Sequence, residues 1–148
     1  MDLSLAKLYP LIAEGIKAGG TYRFYPKGKS MLPLIKEGVD SVVLSSVGSL
    51  KVGDIVLYKR KDGTFVIHRI VKNSKTLSMC GDNQFVIEKG ILKEQVLAKV
   101  TAIYKKDAIL SLDSFNYRFY TFFLPLRRLK LKLILFIKRV LHKIFKSR

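Results

Sequence analysis

A single cysteine, Cys80, is all the soft-ligand chemistry the chain offers apart from His68 and His142, so an intramolecular disulfide is excluded and a structural zinc site lacks ligands. No metal or other cofactor is implied. Uninterrupted apolar runs are also missing. Nowhere do about 18 uncharged apolar residues follow one another, as a spanning helix would need, because Arg118, Arg127, Arg128, Lys130, Lys132 and Lys138 break up the greasiest region. The N-terminus, with Asp2, Lys7, Pro10 and Glu14, has no clean apolar core for a cleavable signal. Scarcest of all is negative charge: 11 acidic residues stand against 28 basic ones, a net +17. From Thr121 to Arg148 there are nine cations and no anion, which leaves +8 for the first 120 residues. Half of the excess therefore belongs to a C-terminal appendage, and an excess of this kind points to an anionic partner.

What is present suits one compact domain, since 148 residues at 49% hydrophobic content can bury a core. Pro10 at a first helical position, Leu11, Ile12, Ala13 and Ile16, and the stop Gly19-Gly20 predict a short helix over about 10–18. From Tyr22 to Leu112 the pattern is that of short strands, at 22–25, 41–44, 55–59, 65–71, 76–79, 96–104 and 108–112. Turn residues separate them at Val52-Gly53-Asp54, Lys61-Asp62-Gly63, Asn73-Ser74 and Glu88-Lys89-Gly90. The expected fold is mainly β, a curled multi-stranded domain over 21–113. A helical cap over 1–20 precedes it and an aromatic, basic tail over 114–148 follows.

In the tail, Pro125 is expected to break the chain after an aromatic cluster, and a helix to follow. At about 100° per residue, Leu126, Leu129, Leu133, Phe136, Ile137, Val140 and Ile144 share one face, while Arg127, Arg128, Lys138, Arg139 and Lys146 lie away from it. Leu131 and Leu135 fall on the polar side. The pattern suits a helix lying on an anionic membrane surface through residues 121–148, at the cytoplasmic face of the bilayer. The alternative is a core-packing helix with a solvated charged face, and nine cations without an anion are excessive for that.

Three short boxes carry the chemistry: Gly28-Lys29-Ser30-Met31-Leu32-Pro33, then Val66-Ile67-His68-Arg69-Ile70, then Cys80-Gly81-Asp82-Asn83. A serine, a histidine and an aspartate in order are the materials of a nucleophile, its base and an orienting carboxylate. Taken singly, each has a bland reading: a turn serine, a strand histidine with a core partner, a turn aspartate beside glycine. With Gly38-Val39-Asp40 and Val52-Gly53-Asp54-Ile55-Val56 between them, the boxes as a set resemble the type I signal peptidases and the LexA-like self-cleaving peptidases, over about Tyr22 to Asn83. His68 before Arg69, where the lysine-dependent members place a lysine, resembles the archaeal and endoplasmic-reticulum-type branch. A lysine base must lose about 3 pK units by burial, roughly 4 kcal/mol, whereas histidine needs almost no shift.

The resemblance implies a serine endopeptidase with Ser30 as nucleophile, His68 as general base and Asp82 orienting His68 or buttressing the site. Its expected substrate is an exported or secreted leader-type peptide or preprotein with small side chains before the cut. The branch often carries a further aspartate a few residues on, and here that stretch holds only Glu88. The side-chain oxyanion donor of some relatives is replaced by Gly28, leaving the Ser30 backbone N–H as the simplest donor. Deleting 121–148 is expected to release the protein from anionic vesicles and to leave cleavage largely intact. Three alternatives are a LexA-like regulatory or self-cleaving protein, with Ala18-Gly19 as the candidate bond, a non-catalytic membrane-surface protein with this fold, and a nucleic-acid binder. Only about 20 residues precede the first strand, too few for a DNA-binding domain, and the cations cluster on a greasy helix rather than a sheet or groove, which disfavours nucleic acid.

Overall fold

The computed structural model describes residues 5–106 and 108–146; the outermost residues of the expected cap and tail, 1–4 and 147–148, lie outside them. Its elements are α1 (Leu5–Lys17), β1 (Tyr22–Phe24), β2 (Ser41–Ser45), β3 (Ile55–Lys59), β4 (Phe65–Asn73), β5 (Leu77–Cys80), β6 (Glu88–Ile91), β7 (Val96–Lys105), β8 (Ala108–Leu110) and α2 (Phe115–Lys146). The strands form one antiparallel sheet in the order β1-β2-β7-β3-β4-β5-β6, and β8 pairs with β7. The expected mainly β fold with a helix at each end is the observed one.

Three strands separate β1 from β4 in the sheet, yet both line a single cleft, so the sheet is curled. It is not closed, because β1 and β6 remain its two ends. Strand β7 makes the curl feasible: its first half pairs with β3 and its second half with β2. Register shifts between Val43 and Leu44 and between Leu57 and Tyr58 accompany the change of partner, as bulges do where a sheet bends.

Alternation along β3 divides the core in two. Ile55 and Leu57 join Val42, Leu44, Ala98, Val100 and Ile103 in the larger cluster, which α1 covers with Ile12 and Ile16. Val56 and Tyr58 face the other way, against Ile70, Leu77, Met79 and Val96. The central strand is thus buried on both faces, which explains its continuous apolar reading.

Two prolines depart from their expected places. Helix α1 begins at Leu5, so Pro10 lies inside it rather than at its start. Helix α2 runs through Pro125 without ending. An interior proline removes a ladder hydrogen bond and costs about 3 kcal/mol, and docking on both sides of Pro125 offsets that cost. Tyr117 and Leu124 are buried before it, and Arg127 and Arg128 are half-buried after it. From Lys132 to Lys146 every residue is exposed, so the last 15 residues, roughly 22 Å of helix, stand clear of the sheet.

Candidate active site

Ser30 sits in the irregular stretch between β1 and β2, at the start of a turn whose Ile35 N–H donates to Met31 O at 2.9 Å. Burial of Met31, Leu34 and Ile35 pins this loop to the larger core cluster. Gly28, two residues before the serine, has φ +98°, a left-handed conformation that explains a glycine there. A second anchor comes from the Gly81–Asn83 turn after β5: the Asn83 N–H donates to Ser30 O at 2.8 Å, and Asn83 Nδ2 donates to Lys29 O at 3.2 Å. Gly81 is needed for this approach. A Cβ on it would lie 2.6 Å from Ser30 O and 3.1 Å from Ser30 Cβ.

His68 lies in β4, opposite Val56 of β3, and is buried. Ser30 and His68 line the same cleft, a space of about 570 Å³ shared with the apolar Met31, Ile35, Leu57 and Ile67 and the aromatic Tyr22, Phe24 and Phe65. The His68 Nδ1 is 3.2 Å from the Tyr58 hydroxyl and 3.4 Å from Glu88 Oε1. Glu88 is itself gripped by Arg60, whose Nε donates to Oε2 at 2.8 Å and whose Nη2 donates to Oε1. The Arg60 bonds, against the opposing effect of partial burial, hold the Glu88 carboxyl below its usual range. Burial, and then Glu88, push the Tyr58 phenol well above its ordinary value. The Tyr58 hydroxyl also hydrogen-bonds Glu88; with its proton given to that carboxylate, which only accepts, the proton of neutral His68 belongs on Nδ1. Burial lowers the His68 pKa, and Glu88 partly opposes it, so the ring is neutral at pH 7 with Nε2 as its basic nitrogen.

Asp82 is hydrogen-bonded to Arg69 and Tyr120, and no hydrogen bond joins it to His68 among the described residues. Its carboxylate is fully buried and bound to Arg69, with Nε to Oδ1 at 2.9 Å and Nη2 to Oδ2 at 2.7 Å. The Tyr120 hydroxyl donates to Oδ2 at 3.0 Å. Adjacent strand residues point to opposite faces, so the arginine after His68 points away from the histidine, and the aspartate follows the arginine. Arg69 also donates through Nη1 to Gly53 O and to the Tyr117 hydroxyl, both at 2.7 Å. The Val52-Gly53-Asp54 box and α2 thereby join one buried polar knot. The carboxylate beside His68 Nδ1 is that of Glu88.

The sequence names Glu88 as the one acid of the stretch that follows Asp82 but gives it no role, because Glu88-Lys89-Gly90 looks like a turn, whereas it begins β6, the short edge strand whose Glu88 pairs with Met79. The only signal was its being the sole acid between Asn83 and Gly90. Tyr58 and Arg60 carried none beyond a β3 strand and its turn. Helix α2 also reaches this region. Arg127 Nη2 donates to Asn83 Oδ1 at 3.1 Å and to Leu32 O at 3.3 Å, and Arg128 Nη2 donates to Cys80 O at 3.4 Å. Deleting 121–148 would therefore remove contacts to both the Ser30 loop and the Gly81–Asn83 turn.

Among the described residues, no group of three or more His, Cys, Asp and Glu side chains converges as a metal site would, and no helix is long and apolar enough to cross a membrane. Comparison with protein-family models, curated proteins and solved structures finds no match to this chain.

Proposed function

We propose that the protein is a serine endopeptidase working at a membrane surface on a leader-type exported peptide. The observation that carries this reading is that Ser30 and His68 line one cleft, with His68 Nδ1 beside the Tyr58 hydroxyl and the Glu88 carboxylate. The set of short boxes resembling signal peptidases supports it independently.

In the proposed reaction Ser30 Oγ attacks the peptide carbonyl while His68 Nε2 takes its proton, and the imidazolium gains stabilisation from Glu88. The C–N bond then breaks as His68 returns that proton to the leaving amine, giving an acyl-enzyme. Water attacks the ester, again with His68 as base, and releases the acid and free Ser30. The Ser30 N–H is the simplest oxyanion donor. Peripheral attachment is assigned to the exposed apolar face of α2 and its cations.

Intact-mass analysis of peptides encoded beside the gene tests this. Wild-type protein is expected to produce two fragments summing to the substrate plus water, and Ser30→Ala and His68→Ala none. Cleavage that survives Ser30→Ala would remove the serine mechanism.

A further inference from the structure

Tyr120, Arg127 and Arg128 lie within nine positions of one helix, and all three reach the support of the nucleophile loop. Arg127 holds Leu32 O and Asn83 Oδ1; Tyr120 holds Asp82 Oδ2; Arg128 holds Cys80 O and stands 3.7 Å from Asp82 Oδ1. Asn83 then holds the carbonyls of Ser30 and Lys29. This latch is marginal: its arginine bonds are 3.1–3.4 Å long, and the buried Nε atoms of Arg127 and Arg128 have no partner among the described residues. A modest change in the helix is enough to shift such an arrangement.

The opposite face of the same helix is bare. Phe119, Phe122, Leu126, Leu129, Leu133 and Val140 fall on one stripe at about 100° per residue, roughly half a turn from Tyr120, Leu124 and Arg128, and all six are exposed. Lys130, Lys132, Lys138, Arg139, Lys143 and Lys146 accompany it, with no acidic residue anywhere in the helix. Beyond Leu131 the exposed residues give the helix no tertiary support, and a solitary helix of about 12–15 residues is marginal in water. Fraying from that end runs back towards Pro125, where the ladder already lacks a bond, and so towards Arg127 and Arg128. An anionic bilayer supplies both what the stripe lacks and what the cations attract.

We infer that α2 couples an anionic bilayer surface to the Ser30 loop: lipid binding along the stripe completes the helix, and the completed helix fixes the Gly81–Asn83 turn through Arg127, Arg128 and Tyr120. The meaning of this coupling as control of activity rests on the peptidase reading. The coupling itself does not.

The test uses the full chain with vesicles of phosphatidylcholine, alone or mixed with phosphatidylglycerol, reading sedimentation and hydrogen exchange in segments 28–35 and 81–84. Wild type is expected to sediment with the anionic vesicles only, and exchange in both segments to slow on the order of tenfold. Leu133→Glu with Val140→Glu should lose binding and protection together. Arg127→Met and, separately, Asn83→Ala should bind vesicles and gain no protection. The inference is overturned if bound wild type exchanges as fast as free protein, if both latch variants gain full protection, or if the stripe drives self-association instead of lipid binding. Ser30-dependent cleavage is read in the same samples. Its absence beside intact protection supports the coupling and sinks the peptidase reading alone.

Discussion

Replacing Asp82 by asparagine separates a structural carboxylate from a catalytic one. The substitution keeps the shape, removes the charge, and turns one acceptor oxygen into an NH2 that faces donors. The side chain is fully buried and accepts two bonds from Arg69 and one from Tyr120. Removing one partner of a buried pair typically costs about 3–5 kcal/mol. Arg69 keeps Gly53 O and the Tyr117 hydroxyl as acceptors, which places the expected loss near the lower end, about 3 kcal/mol. Against an ordinary total stability of about 5–15 kcal/mol, that is a large fraction and shifts a urea midpoint by about 1–3 M at typical slopes. Urea unfolding followed by circular dichroism measures it. In the surviving folded fraction the acid limb of the pH–rate profile should move down by less than in Glu88→Gln, because Asp82 raises the His68 pKa less than Glu88 does. A loss below about 1 kcal/mol, together with an acid limb displaced more than in Glu88→Gln, would refute the reasoning and return Asp82 to the orienting role.

Glu88→Gln should behave in the opposite way. Its partly exposed pair with Arg60 predicts a stability change below about 1 kcal/mol, whereas kcat/KM should fall about a hundredfold; unchanged kcat/KM would argue against Glu88 as the orienting group. The folded His68 pKa is lowered, so the free enzyme's acid limb is expected below the ordinary histidine value of about 6.5. Since Glu88 raises that pKa, Glu88→Gln should move the limb lower still; a limb above 8 would point to a lysine base. The same depressed pKa means that stability from neutral buried His68 is present above about 6.5 and is lost as pH falls towards the folded value. Gly81→Ala places a methyl against Ser30 O and Ser30 Cβ, an overpacking that should cost about 1–3 kcal/mol; wild-type thermal stability and unaltered cleavage would show that the loop has more room than the contacts imply.

The β domain was legible because its strands are bounded by turn residues with local causes. Ile55–Lys59 was read with its observed bounds, helped by Gly53, whose φ is +98°, and by the Asp62-Gly63 turn. Edge strand β6 was not legible: Glu88-Lys89-Gly90-Ile91 has neither alternation nor an apolar run, and pairing with β5 makes it a strand. That miss left Glu88 without a role, while the pairing of Arg69 in β4 with Asp82 in the turn after β5 lay beyond any single box. Helix α2 was read correctly for its apolar stripe but not for its start or its polar side. Pro125 masked continuity that only docking stabilises. Leu131, out of place on the wheel, is half-buried on the side that holds Arg127 and Arg128.

Intact-mass analysis after treatment with a serine-directed fluorophosphonate tests the Ser30–His68 pairing most directly, since it needs no knowledge of the substrate. One adduct per chain is predicted, mapped to Ser30, forming faster as pH rises through the His68 limb and lost in both Ser30→Ala and His68→Ala. Absence of any adduct on Ser30, or labelling of Ser30 at the same rate in His68→Ala, would contradict the account.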